Sequence, residues 1–172
     1  DERGACPDAE EYGIKERFSN KTAIAPTASI SIICGGSSPG IEPIAANSYT
    51  HKTLSGSFNV RNKYLKKLLQ KYKKDTDEIW SSITTNQGSV SHLDFLTAEE
   101  KDTFKTAFEI DQRWIVELGA DRTPHISQAQ SINVFVPADI HKKELHDIHF
   151  QAWKKGLKSL YYCRSKSIQR AE

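Results

Sequence analysis

The chain has 172 residues, 37% hydrophobic content and a formal net charge of +2, with Lys+Arg 24 against Asp+Glu 22. That length supports one globular domain with a real core, and the charge balance, without a basic block, argues against nucleic acid as a partner. No apolar run is long enough to span a bilayer, so no membrane partner is expected.

The N-terminal stretch "DERGACPDAEEYGIKERF" is charged and lacks an apolar signal core. Residues 1–19 read as irregular or weakly helical. Thr22 to Ala25 predicts a short buried strand closed by Pro26, followed by a short helix over "SISIIC". The Gly/Ser/Pro stretch from Gly35 to Pro43 is a loop by composition. "SYTHKTLSGSFNV" predicts a hairpin around Ser55-Gly56. "YLKKLLQKY" predicts an amphipathic helix with Leu65, Leu68 and Leu69 on one face. A second helix is expected over Thr76 to Ile83.

Thr97 with Glu100 forms a capping-box pattern, predicting a helix to about Phe108. Gln112 to Leu118 predicts another helix, stopped at Gly119. "SINVFVP", Ser131 to Pro137, reads as a strand. The next segment places Leu145, Ile148, Ala152 and Trp153 on one helical face, with Gly156 as the stop. "LKSLYYCR" then reads as a strand. Strand, helix and strand in that order predict a parallel βαβ unit, so the fold class is α/β.

Three cysteines, Cys6, Cys34 and Cys163, occur without CxxC or Cys/His metal spacing. An odd number predicts no disulfide scaffold and fits a reducing cytoplasm. Cys6 and Cys34 have no evident activating base and read as small packed residues. The chain has no methionine, even at position 1, which suggests a processed or excised segment. His141, His146 and His149 lie on one predicted helix at spacings of five and three. That spacing suits a solvated helix face better than a metal site, and no metal is expected. No GxSxG elbow, P-loop or GxGxxG fingerprint occurs.

Two stretches could carry chemistry. Thr27, Ser29 and Ser31, just after Pro26, put three hydroxyls at a predicted helix start. Free N–H groups and the positive end of the helix dipole bind phosphate there. The same hydroxyls equally suit a turn that only caps its own helix. Tyr161 and Tyr162 are adjacent in a predicted strand, where neighbours point to opposite faces. As core residues they would be ordinary packing with satisfied hydroxyls. As redox groups they could exchange a radical with little change in charge, since a phenol of pKa about 10 loses its proton with the electron. A relay needs the rings in contact, which requires an irregular strand at this point.

"NKTAIAPTASISIICGGSSPGIEP" followed after about a hundred residues by "HFQAWKKGLKSLYYCRSKS" resembles the C-terminal part of the large catalytic subunit of class I ribonucleotide reductase. The resemblance runs from "RGACP" through "SIQRAE". It implies that residues 1–172 are an incomplete C-terminal part of the catalytic barrel domain, a ten-stranded α/β barrel, with a β-hairpin and several helices. It implies that Pro26, Thr27, Ala28, Ser29, Ile30 and Ser31 form the loop that grips the substrate diphosphate. Ala28 stands where some relatives carry a carboxylate, which leaves more of the binding to backbone N–H groups. Tyr161 and Tyr162 match the tyrosine pair of radical transfer. The implied activity is reduction of ribonucleoside diphosphates to deoxyribonucleoside diphosphates for DNA synthesis.

The family's thiyl-radical cysteine, finger loop and N-terminal allosteric nucleotide domain would lie upstream of "RGACP". No cofactor is then expected on this segment. The radical would come from a metal-containing small subunit. The other implied partners are the remaining half of the large subunit, the ribonucleoside diphosphate, and thioredoxin or glutaredoxin for the whole enzyme. Alone, the chain is expected to be inactive. The competing readings are a non-catalytic nucleotide-binding or interaction module, and an inactive fragment.

Overall fold

Three of the helices among the described residues start where a side-chain oxygen accepts otherwise unpaired N–H groups. The computed structural model describes residues 3–18, 20–53 and 56–165, with the side chains of His51–Thr53 outside that description. Ile41–Asp111 makes one compact unit; the described residues up to Gly40 and from Gln112 make the other.

In the Ile41–Asp111 unit, β1 (Ser48–Thr53) and β2 (Gly56–Arg61) pair antiparallel, from Ser48 opposite Arg61 to Thr53 opposite Gly56. The expected hairpin is present; Ser55 of its expected turn lies outside the described residues. Helix α3 (Lys63–Lys71) is opened by Asn62, whose Oδ1 accepts the N–H groups of Tyr64 at 3.0 Å and Leu65 at 3.4 Å. Helix α4 (Asp77–Thr85) is opened by the Thr76 hydroxyl. Leu65 and Leu69, one helical turn apart, meet Trp80, Ile83, Val90, Leu93 and Leu96 in a buried core. Leu68 packs at its edge. The buried indole donates to Asp75 Oδ1 at 2.7 Å, so its polar end is satisfied.

Helix α5 (Ala98–Thr103) begins at the expected box: Thr97 Oγ1 accepts the Glu100 N–H, and Glu100 Oε2 accepts the Thr97 N–H. It ends five residues short of the expected Phe108. A second box, Thr106 with Glu109, opens a separate 3-10 turn at Ala107–Glu109. The same Thr-x-x-Glu signal that starts one helix thus restarts the chain and limits the first. Buried Asn47 ties this unit together: Nδ2 donates to Gly88 O at 3.0 Å and Phe104 O at 2.8 Å, and Oδ1 accepts from Asn62 at 2.8 Å.

The second unit is built on a βαβ arrangement. Strand β3 (Val134–Val136) is wholly buried and runs parallel to β4 (Cys163–Ser165), with Val134 opposite Cys163. Helix α7 (Lys142–Lys154) connects them, and α6 (Gln112–Arg122) packs beside it. Val116, Val134, Val136, Ile148 and Ala152 form the core. The strand-helix-strand order therefore matches the structure, while Gly119, Trp153 and Thr22–Ala25 depart from expectation.

Gly119 does not stop α6 but lies inside it. A Cβ there would come within 2.7 Å of Ile132 Cδ1, so the glycine serves close packing. Trp153 leaves the apolar face of α7 and is 72% exposed, because it sits about 100° around the helix from Ala152. Thr22–Ala25 forms a single parallel bridge, Ile24 to Gln130, with mostly exposed neighbours. Pro26 lacks the N–H that would extend the pairing. Gly156, at φ +78°, does end α7 as expected.

No helix among the described residues is long and apolar enough to cross a membrane.

Candidate functional site

Two groups of predicted site residues lie in this second unit. The first precedes and opens helix α2 (Ala28–Ile33). Thr27 holds φ 48° and ψ 29°, a left-handed conformation that costs a β-branched residue on the order of 1–3 kcal/mol. Its hydroxyl accepts the Gly40 N–H at 2.7 Å, pinning the far end of the Gly-rich loop. Ser31 is buried, and its hydroxyl donates to Ala28 O at 2.8 Å. The first helical bond runs from the Ser31 N–H to Thr27 O.

Of the three hydroxyls read as phosphate donors, Ser31 spends its hydrogen inside the loop and Thr27 is engaged there as an acceptor, while Ser29 is exposed. The Ala28, Ser29 and Ile30 N–H groups precede the first intrahelical bond, as at any helix start. Pro26 is half-buried and Ile30 exposed. Cys34, expected to be packed, is exposed at the C-terminal end of α2.

The second group is the tyrosine pair. The expected strand from Leu157 begins only at Cys163, and the cause is visible in the ladder. Tyr161 N–H donates to Ile132 O at 2.8 Å, and Val134 N–H donates to Tyr162 O at 2.9 Å. In a regular parallel ladder a single residue opposite Asn133 would make both bonds. Here two residues share them, which is a β-bulge. The bulge abolishes the alternation that would separate the rings. Their centroids lie 4.2 Å apart, tilted by 55°. The two residues are 48% and 52% exposed, and they help line a groove of about 480 Å³ with Trp153, Leu157 and Leu160.

The electrostatics of the pair are local. Its neighbour Tyr162, as hydrogen-bond partner and as charge, together with desolvation, holds the Tyr161 phenol above its usual pKa, while Arg164 opposes the shift. The Arg164 guanidinium lies 5.4 Å from the centroid of the Tyr162 ring.

The helical histidines have local roles. His141 caps α7 by accepting the Lys143 N–H at 3.2 Å, His146 stacks on Phe150, and His149 Nδ1 lies 2.8 Å from Leu145 O. Among the described residues no group of three His, Cys, Asp or Glu side chains could hold a metal ion. Reading the sequence missed Asn133. Its one signal is an amide inside the apolar run "SINVFVP"; its Oδ1 accepts the Tyr162 N–H at 3.2 Å.

Comparison with known proteins places this geometry in context. Residues 5–163 match the family described as "Ribonucleotide reductase, barrel domain". The chain is 50% identical over 174 aligned residues to the ribonucleoside-diphosphate reductase large subunit of Invertebrate iridescent virus 6, covering 99% of this chain and 18% of that protein. It is 48% identical to the same subunit of Invertebrate iridescent virus 3, covering 96% of this chain and 26% of the relative. Among solved structures it resembles the Actinobacillus ureae class Id ribonucleotide reductase alpha subunit, with TM-score 0.81 and 42% identity over 92% of this chain and 28% of that one. The chain thus spans between 18% and 28% of the length of these proteins.

Proposed function

We propose that this chain, which belongs to the ribonucleotide reductase barrel-domain family, supplies two working parts of class I ribonucleoside-diphosphate reduction: a substrate-phosphate grip and a radical relay. The observation that carries the reading is the contact between the Tyr161 and Tyr162 rings, 4.2 Å between centroids. A regular strand would have placed them on opposite faces.

The relay step is an exchange of one hydrogen atom. One phenol gives up its O–H hydrogen, electron and proton together, to the phenoxyl oxygen of the other. One O–H bond breaks, one forms, and the pair's net charge is unchanged. That neutrality matters in a half-exposed groove, because no new charge has to be solvated at each hop. Arg164 beside Tyr162 further disfavours a cationic ring. The oxidising equivalent enters from a small radical-generating subunit whose metal centre supplies the oxidation.

At the other part, the Ala28, Ser29 and Ile30 N–H groups and the Ser29 hydroxyl face the substrate diphosphate. Pro26, the left-handed Thr27 and the internally bonded Ser31 hold the backbone in shape. Preformed N–H donors bind an anion without reorganisation. The remaining large-subunit polypeptide supplies the thiyl-forming cysteine and the allosteric nucleotide sites, and thioredoxin or glutaredoxin re-reduces the assembled enzyme.

The test is complementation. The chain is mixed with a polypeptide carrying the upstream part of the large subunit and with the small subunit, and reduction of a ribonucleoside diphosphate is measured. Turnover is expected from the mixture and not from the chain with the small subunit alone. Tyr161→Phe and Tyr162→Phe should each abolish it, because phenylalanine has no O–H hydrogen to pass on. Activity that survives both substitutions removes the relay.

A further inference from the structure

We propose that Asn133 is a positioning residue for the tyrosine pair: its side-chain carbonyl closes the bulge that brings the two phenol rings together. The inference rests on the relay reading for its functional meaning, but its geometry stands separately.

A bulge leaves one backbone N–H without a ladder partner. Here that group belongs to Tyr162, since the opposing carbonyl of Ile132 already takes the Tyr161 N–H. An unpaired N–H next to a buried strand is costly, so such groups are almost always satisfied. Asn133 Oδ1 supplies the acceptor at 3.2 Å. Asn133 is 8% exposed and lies between Ile132 and Val134, both fully buried. An amide at that position needs a reason, since every neighbouring position in the strand favours an apolar side chain. The bulge provides one: donor and acceptor each answer the other's need.

The consequence for the rings follows from counting. With an acceptor at Asn133, two residues fit opposite one, and Tyr161 and Tyr162 reach the same side. Without it, the orphaned N–H is best satisfied by a regular ladder, in which one tyrosine pairs with position 133 and the next turns to the opposite face. Leucine fills the space without accepting. Aspartate keeps an acceptor oxygen in place.

The experiment reads phenol coupling in the 172-residue chain. Because the chain has six tyrosines, the Tyr161 phenol is followed by NMR of ring-labelled tyrosine, its signal assigned by loss in Tyr161→Phe. It is titrated with and without Tyr162→Phe, and the shift this causes in the Tyr161 midpoint is the coupling. The same pair of titrations is repeated in Asn133→Leu and Asn133→Asp. Coupling should be clear in the native background, lost with leucine and restored with aspartate. Coupling that persists in a folded Asn133→Leu chain overturns the proposal.

Should Asn133→Leu fail to fold, hydrogen exchange at the Tyr162 amide of the unsubstituted chain decides. Slow exchange supports the bond, and exchange as fast as an exposed amide overturns it. In the complemented enzyme, Asn133→Leu with coupling lost but nucleotide reduction intact supports the positioning role and removes the relay. Reduction lost with coupling intact overturns the positioning role.

Discussion

The Ile41–Asp111 unit and the unit holding the candidate site resolve the same problem differently. In the first, large apolar side chains are inside: Leu65, Leu69, Trp80 and Ile83 are essentially inaccessible. Its helices are opened by Asn62, Thr76 and Thr97 side chains. In the second, the core is made of smaller residues such as Val116, Val134 and Ala152, while Ile33, Trp114, Phe150 and Trp153 are exposed. It also holds the left-handed Thr27 and the bulge at Tyr161–Tyr162. Left-handed non-glycine residues and exposed aromatics occur in both units, Lys73, Gln87, Phe58 and Tyr64 belonging to the first, so the departure particular to the second is the bulge. The bulge falls on the residues proposed to carry the relay, where departures from local consistency are expected.

The largest expected effect tests that contrast directly. Trp80→Ala empties the centre of the first core and should destabilise it by about 3–5 kcal/mol in urea unfolding. The exposed Trp153→Ala should change stability by no more than about 0.5 kcal/mol. Equal losses would erase the distinction between the two units.

A smaller effect is expected within the second unit. Gly119→Ala places a Cβ within 2.7 Å of Ile132 Cδ1, and relieving that overlap should cost about 1–3 kcal/mol. Because Ile132 O accepts the Tyr161 N–H, the strain falls on the segment that the bulge pairs with. Phenol coupling should weaken along with stability. A stabilised Gly119→Ala chain, as helix propensity alone predicts, would show that this packing is loose.

How much of this was legible beforehand also divides between the units. The hairpin, the Leu65/Leu69 face and the Thr97–Glu100 box depend on residues close together in sequence, and each is present. The βαβ order was legible from apolar runs and from Gly156. What could not be read depends on distant partners. Gly119 looked like a stop because nothing nearby reveals Ile132 thirteen residues on. The bulge exists only relative to β3, so the tyrosine stretch alone showed a strand. The proposed phosphate loop is marked in the sequence by its hydroxyls, yet Thr27 and Ser31 turn theirs inward, toward Gly40 and Ala28. Asn133 carries no functional signal in the sequence, because an amide in an apolar run has no meaning until the N–H it accepts, that of Tyr162, is known.

The smallest expected effects are pH dependences, and they separate the units by sign. Glu100 accepts the Thr97 N–H first of all, then bonds Tyr72 and the Thr97 hydroxyl near Lys71, and these outweigh desolvation and hold its carboxyl below the usual range. A carboxyl depressed on folding contributes stability above its unfolded pKa and loses it as pH falls through the folded value. Tyr161 runs the other way. Its raised phenol pKa, set first by the bond to Tyr162, contributes fully below the unfolded value of about 10 and is lost as pH rises through the folded one. Thermal midpoints measured down to about pH 3 should therefore fall more for the native chain than for Glu100→Gln, below the ordinary carboxylate range. Above about pH 10 the native chain should lose a contribution that Tyr161→Phe never had. If either variant follows the native curve at its own end of the scale, the bond assigned to that group does not stabilise the fold, and the contrast between a locally capped unit and a bulged one loses its electrostatic half.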